Sequence, residues 1–181
     1  FAAVFMTGIS IITYGQFMFG WQSSHFDGLL SSKIDFSNFI KAKFLLFTIS
    51  CTIITLLSSF YGFMSYKLLL LHLAAYLYNI GFATVIVLYF ATLNYKRLDI
   101  TKSASFNWQG VGATQWILGF PLLLIPFVIY LPFAFVNQPY WGLIALATFG
   151  LITLLMRNFW IKLLVKRFEK QRYKIAEGFR E

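Results

Sequence analysis

Five long apolar runs divide this chain, and their length limits what it can fold into. The runs cover residues 1–19, 44–63, 68–93, 114–136 and 140–160. A helix needs about 20 apolar residues to cross the hydrocarbon core of a bilayer, and each run is close to that length. Because lipid offers no hydrogen-bond partners, a spanning segment must satisfy its own backbone, as a helix does. The runs therefore predict an all-α fold, a polytopic membrane helix bundle with about five transmembrane helices.

The overall composition agrees with lipid rather than water as the solvent. Hydrophobic residues make up 59% of the chain and charged residues only 12%, whereas an ordinary soluble domain has about a quarter charged residues. Helices that are apolar on every side face lipid. We therefore expect a single transmembrane domain over residues 1–181, embedded in the lipid bilayer. Since the first run opens at Phe1 without a leader, we also expect a fragment with further spans upstream.

The positive charge lies almost entirely at one set of helix ends. The net charge is +9, which in a soluble protein would suggest a nucleic-acid partner. Here every Lys and Arg except Lys67 lies in or beside the segments 20–43, 94–113 and 161–181. Loops rich in Lys and Arg stay in the cytoplasm. We therefore predict that these segments and the C-terminus are cytoplasmic in a bacterial inner membrane, with no nucleic-acid partner.

Sequence motifs for enzyme chemistry are absent. The chain has no Walker-type phosphate loop, no GxSxG elbow, no HExxH pair and no cluster of Cys or His. We therefore predict no catalytic residue, no metal site, no cofactor and no nucleotide site in this chain. All six acidic residues also lie outside the apolar runs, whereas ion-coupled carriers usually place carboxylates inside the membrane. Any energy for transport is then expected from a partner ATPase.

The polar segment 20–43 carries the most informative candidates. Its aromatic exit from the membrane, short acidic helix and basic end indicate a segment held at the bilayer surface, with one face open to a soluble partner. The residues that we expect to contact such a partner are Trp21, His25, Phe26, Asp27, Lys33 and Asp35.

Two polar residues lie inside the third run. His72 and Asn79 are seven residues apart, which places them on nearly the same face of a helix, two turns apart. They either line a polar pathway or form hydrogen bonds to a neighbouring helix. The second role is the ordinary one for polar residues in a membrane helix.

Lysines repeat every fourth residue in the C-terminal tail, at Lys162, Lys166, Lys170 and Lys174. This spacing predicts a basic amphipathic helix that continues the fifth span, with apolar residues on its other face. The lysines can bind anionic lipid headgroups or an acidic patch on a cytoplasmic partner. The same pattern is also explained if the lysines only end the fifth span and keep its end on the cytoplasmic side.

Two resemblances add to this interpretation. The segment from Gln16 to Lys43 resembles the coupling-helix region of type-2 ABC exporter permeases, with its aromatic exit, short acidic helix and terminal Lys. The chain as a whole resembles the C-terminal part of an uncharacterised bacterial permease-like family. The stretches that carry this second resemblance are GWQSSHFDGLL at 20–30, LNYKR at 93–97, FNWQGVGA at 106–113 and YKIAEG at 173–178.

The exporter resemblance implies a permease subunit on whose coupling helix a separate ATPase docks. The expected partners are then an ABC ATPase and either a second permease unit or a second copy of this chain. A non-transporting membrane scaffold or assembly factor that recruits a cytoplasmic partner is the alternative. A third hypothesis is an integral-membrane enzyme acting on lipids, for which His25, Asp27 and His72 are the titratable candidates.

Overall fold

Helices form nearly all of the described chain. The computed structural model describes residues 2–32, 35–98 and 113–180, and these residues contain no β-strand. The helices are α1 Ala2–Gly15, α2 Phe26–Ser31, α3 Phe36–Ser58, α4 Tyr66–Tyr78, α5 Thr84–Ala91, α6 Ala113–Phe135, α7 Pro139–Leu155 and α8 Arg157–Arg180. Short 3₁₀ segments cover Gly20–His25 and Ser59–Phe63, and a π-helical segment covers Asn79–Ala83 between α4 and α5. The predicted all-α fold is confirmed.

Four helical stretches in the described part of the chain are long and apolar enough to cross a membrane. They are Ala2–Ser31, Phe36–Phe63, Tyr66–Ala91 and Ile117–Phe135. The pair α7 and α8 supplies a fifth when taken together, although the two helices are bent by 64° relative to each other. These stretches correspond to the five apolar runs of the sequence. The chain is therefore a membrane protein, with four or five candidate spans among its described residues.

The second span begins earlier than hydropathy predicts. The apolar run starts at Phe44, but α3 starts at Phe36, so the first turns of the helix lie in the segment expected at the surface. Asp35 explains this start, because its carboxylate accepts the backbone N–H of Ser37 at 2.9 Å and caps the helix. Lys43 keeps a polar environment by donating to the hydroxyl of Tyr14 at 3.1 Å. The helix α3 therefore begins inside the segment 20–43 that the sequence places at the membrane surface.

The fifth apolar run is interrupted by an elbow. α7 ends at Leu155, and α8 begins at Arg157 after the bend. The bend therefore lies inside the predicted span 140–160, and the C-terminal helix does not extend α7 in a straight line. Bending lays α8 against the bundle and buries Ile161, Leu164 and Phe168, each of which is 4% exposed or less. A straight helix would leave these apolar side chains without that cover.

Glycines allow the closest helix contact in the bundle, between α7 and the third span. A Cβ added at Gly150 would collide with the backbone carbonyl of Leu77, and one added at Gly81 would collide with the carbonyl of Gly150. Small residues at such crossings let two helix backbones approach within van der Waals contact, which is the main source of helix association in lipid. This contact fixes α7 against α4 and the π segment.

Candidate functional site

Between α1 and α3 the chain crosses the end of the bundle at which most of the described Lys and Arg lie, called here the basic end. The crossing segment, residues 20–31, consists of the 3₁₀ turns Gly20–His25 and α2. Gly20 packs so closely on the chain after α5 that a Cβ would lie 3.0 Å from the side chain of Leu98. The hydroxyl of Ser23 donates to the Leu98 carbonyl at 3.2 Å. The crossing segment is therefore fastened to the chain that follows α5.

A cluster of phenylalanines packs under the crossing segment and joins it to α3 and α8. Its members are Phe19, Phe26, Phe36, Phe39, Phe168 and Phe179. The ring centroid of Phe168 lies 4.3 Å from that of Phe36 and 4.8 Å from that of Phe19. Phe26 packs edge to face on Phe179 at 5.1 Å. Such aromatic pairs contribute about 0.5–1.5 kcal/mol each beyond the burial of their area, so α2 is held from below by several contacts.

An ion pair closes the outer edge of this cluster. The Arg180 guanidinium donates from Nη2 to Oδ1 of Asp27 at 2.8 Å and from Nε to Oδ2 at 3.2 Å. The bond to this carboxylate raises the pKa of Arg180, so the cation of the pair is always charged. The two bonds fix the last turn of α8 beside the first turn of α2.

The middle of α8 is tied to the end of α5 by polar contacts. The Arg167 guanidinium lies 3.8 Å from the ring centroid of Tyr89 and donates from Nε to the hydroxyl of Thr92 at 3.1 Å. Further along, the hydroxyl of Tyr95 donates to Oε1 of Gln171 at 3.0 Å. α8 is therefore docked along its length, and it connects the crossing segment to α3 and α5.

Grooves lie on both sides of the Asp27–Arg180 pair. One has a volume of about 290 Å³ and includes Ser24 and Arg97 in its walls. The other has a volume of about 730 Å³ and includes Ser31 and Tyr173. Because grooves flank it, α2 forms a ridge on the surface of the basic end.

Comparison with known proteins identifies a family for the chain. The profile of a family of unknown function, DUF5687, matches residues 1–181. The chain belongs to this family. No match was found among curated proteins, and no solved structure matches. Membership in DUF5687 carries no assigned activity.

Three of the predicted contact residues are accessible on the crossing segment of this DUF5687 chain. Trp21 is 38% exposed and stacks on Tyr14, with 5.9 Å between ring centroids. His25 and Asp27 are also exposed on the crossing segment. The Asp27 carboxylate is bound to Arg180, but 61% of its side chain remains open to solvent. These residues stand on the outer side of the ridge.

Two other predicted contact residues make contacts within the chain. Phe26 is only 2% exposed, because its ring lies in the phenylalanine cluster, so a partner cannot touch it directly. Asp35 caps α3 through its bond to Ser37. Lys33 lies outside the described residues. Phe26 therefore holds the crossing segment in place, whereas Asp35 is exposed and caps α3.

The tail lysines lie where the sequence places them, on an exposed face of α8. Lys162, Lys166, Lys170 and Lys174 are all exposed, and Ile161, Leu164, Phe168 and Ile175 on the other side of the helix are buried. The helix is amphipathic, as its sequence indicates. Its lysine face remains available to lipid headgroups or to a partner.

The two polar residues of the third span contact different elements. Asn79 donates from Nδ2 to the carbonyl of Val4 at 2.8 Å and to the hydroxyl of Thr7 at 2.7 Å, both in α1. His72 lies 2.7 Å from the Leu68 carbonyl in its own helix, so its Nδ1 is the donor. Asn79 thus makes the interhelical bond that is usual in lipid. The contacts of His72 stay near the start of α4 and do not continue those of Asn79.

The lipid-enzyme hypothesis needs His25, Asp27 and His72 in one site, and the fold separates them. His25 and Asp27 lie on the crossing segment at the basic end. His72 lies in the middle of α4, and α4 follows the turn at the other end of α3. Within the described residues, no group of three His, Cys, Asp or Glu side chains is arranged to hold a metal ion.

The residues that sequence reasoning missed are those of α8 that hold the crossing segment. Arg167, Gln171, Phe179 and Arg180 all contact elements far away in sequence. One signal was available, because Phe168, Ile175 and Phe179 recur at helical spacing and extend the apolar stripe to the end of the tail. That stripe predicts a docked helix, although not the element on which it docks.

Proposed function

We propose that this protein is the membrane (permease) subunit of an ATP-driven ABC-type exporter, to which a separate ATPase is coupled through the crossing segment. The basic end then lies in the cytoplasm of a bacterial inner membrane, with the C-terminal helix on the same side. The proposal depends mainly on one observation, which is that α2 is exposed on one side and packed against the bundle on the other. Its outer side is open, while Phe26 on its inner side is locked into the phenylalanine cluster.

Force transmission requires such an arrangement. A docking helix moves the transmembrane helices only if it is attached to them rigidly, since a loosely tethered helix would yield to the partner without moving the spans. Here the phenylalanine cluster joins α2 to α3, and Arg167 joins α8 to Tyr89 and Thr92 of the third span. A displacement of α2 would therefore reach the second and third spans together.

The charges agree with a partner that supplies the energy. Within the described residues, no Asp or Glu lies in the apolar part of a span, so ion-coupled transport lacks its usual carboxylate in this part of the protein. ATP hydrolysis on a docked subunit is the remaining source of work. A second permease unit or a second copy of this chain would complete the transporter.

Gly28 provides a sharp test of the docking surface. A Cβ at Gly28 meets no atom within 4 Å, so Gly28→Trp adds bulk to the outer side of α2 without disturbing the fold. We expect the complete protein, purified from its host in mild detergent, to bring down an ATPase subunit, and Gly28→Trp to lose it while the thermal midpoint stays unchanged. Lys162→Trp is the matched control, because Lys162 lies about 27 Å along α8 from Arg180.

The proposal fails if no ATPase subunit accompanies the wild-type protein. It also fails if Gly28→Trp retains a normal amount of ATPase subunit and the purified complex hydrolyses ATP at the wild-type rate. Loss of the subunit in both Gly28→Trp and Lys162→Trp would point to a general effect of surface tryptophans and would argue against docking on α2.

A non-transporting scaffold or assembly factor is the second candidate, and the fixed geometry of the same surface favours it. Arg180, Phe179 and Phe26 hold the crossing segment within one subunit, which suits a static docking platform as well as a moving one. A scaffold would bind its partner through α2 but would not change ATP hydrolysis by any partner on reconstitution. Measuring ATP hydrolysis with and without the membrane subunit separates the two functions.

A further inference from the structure

An open groove with a volume of about 860 Å³ lies beside the elbow between α7 and α8. Its apolar walls include Phe44 and Leu45 of α3 and Leu154 and Leu155 of α7, and its polar lining includes Lys41 and Arg157. The groove is separate from the crossing segment and from the exposed lysine face of α8. It combines a hydrocarbon surface with positive charge.

The lining residues are ordered along α3 from polar to apolar. Lys41 lies near the start of the helix, and Phe44, Leu45 and Thr48 follow over about 10 Å along its axis. Arg157 and Asn158 line the groove from the first turn of α8, just after the apolar end of α7. The two charged side chains of the groove are therefore placed to meet a lipid headgroup, and its apolar side chains are placed to meet the acyl chains.

Neither cation is neutralised within the described chain. The ion pair found among the described residues joins Arg180 to Asp27, and neither of these residues lines the groove. Lys41 contacts only the amide oxygen of Asn38, at 3.4 Å. Arg157 makes no hydrogen bond to a described residue, although it lies next to an apolar surface. Two free cations beside a groove lined with leucine call for a ligand that is both anionic and apolar.

We propose that this groove binds an anionic phospholipid, with its phosphate between Lys41 and Arg157 and its acyl chains on Phe44, Leu45, Leu154 and Leu155. Basic pockets between helices at the membrane boundary bind anionic headgroups in this way. A second copy of the chain suits the groove less well, because it would bring the same two cations and a net charge of +9. The inference depends on the membrane assignment alone and not on transport.

Native mass spectrometry of the complete protein tests the site. The purified protein is mixed with equal amounts of phosphatidylglycerol and phosphatidylcholine. We expect the wild type to retain phosphatidylglycerol preferentially. K41Q/R157Q should retain about 25-fold less of it, since each cation near an anionic lipid contributes about fivefold in affinity. K162Q/K170Q removes the same charge from the exposed face of α8, and we expect it to bind as the wild type does.

Three results would overturn the proposal. The first is equal retention of the two lipids by the wild type. The second is an equal loss of bound phosphatidylglycerol in the two double variants. The third is a dimer that disappears in K41Q/R157Q, which would assign the groove to a second copy of the chain. If the double variant does not fold, R157Q alone serves, because Arg157 is exposed and holds no other described residue. R157Q must then lose about fivefold of the phosphatidylglycerol signal.

Discussion

The guanidinium of Arg180 bonds to both carboxylate oxygens of Asp27, although the two residues are 153 positions apart. Both side chains remain largely exposed, at 68% and 61%. Solvent weakens an exposed ion pair, so this one contributes little to overall stability. Its effect is positional, because it sets the end of α8 against the ridge formed by α2.

Reversing one charge of this pair should release the end of α8 without unfolding the protein. We expect Asp27→Arg to leave the thermal midpoint nearly unchanged and to raise hydrogen exchange over residues 173–180, because two like charges then face each other. The double variant D27R/R180D restores the pair and should restore slow exchange. Unchanged exchange in Asp27→Arg would show that the phenylalanine cluster alone holds the helix end.

Phe168 should be far more important for stability than its neighbours on α8. Its ring is fully buried and contacts Phe19 and Phe36, so we expect Phe168→Ala to cost about 3–5 kcal/mol. Tyr173→Ala is the matched control, because Tyr173 is 68% exposed. Thermal or denaturant unfolding in detergent compares the two. Similar losses in both variants would contradict the described docking of α8.

Gly150 should not accept a side chain. Gly150→Val places atoms where the backbone of Leu77 and Tyr78 lies, so we expect the contact between α7 and the third span to be lost, with low yield and aggregation on size-exclusion chromatography. Gly119→Val is the control, since a Cβ at Gly119 meets nothing within 4 Å. A well-folded Gly150→Val variant would mean that α7 packs elsewhere.

Asn79 should contribute more to the free energy of unfolding than a polar residue that forms hydrogen bonds only within its own helix. Asn79→Leu removes two bonds to α1, and we expect it to cost about 1–2 kcal/mol. Thr148→Val is the comparison, because the Thr148 hydroxyl donates only to Ala145 in the same helix, at 3.0 Å. Equal unfolding free energies for both variants would remove the case for an interhelical role.

Hydropathy predicts the spans well because transfer into lipid depends on composition over a window of residues. Hydropathy does not predict where a helix bends or at which residue it begins. The elbow after Leu155 lies within an apolar run, and only Arg157, placed inside the predicted span, was a warning. The early start of α3 depends on a cap by Asp35, which is a local hydrogen bond that hydropathy does not register.

The candidate site was only half predictable for a related reason. The exposed positions Trp21, His25 and Asp27 follow from the position of a polar segment at the membrane surface. The burial of Phe26 does not, because it depends on a helix that begins more than 130 residues later in the chain and covers it. Contacts between distant segments are set by packing, and one sequence carries no direct record of them.

The π-helical segment at Asn79–Ala83 gives the third span an extra residue. Each residue turns a helix by about 100°, so every side chain after Ala83 points in a different direction from the one that an unbroken α-helix would give it. α4 packs mainly on α7 and α1, whereas α5 packs on α1 and α6. The extra residue thus sets the side chains of α5 one helical position out of step with those of α4. Deleting Ile80 would remove that residue and leave an unbroken α-helix, in which Val87 and Leu88 would still face the core, as would Ala75 and Tyr78.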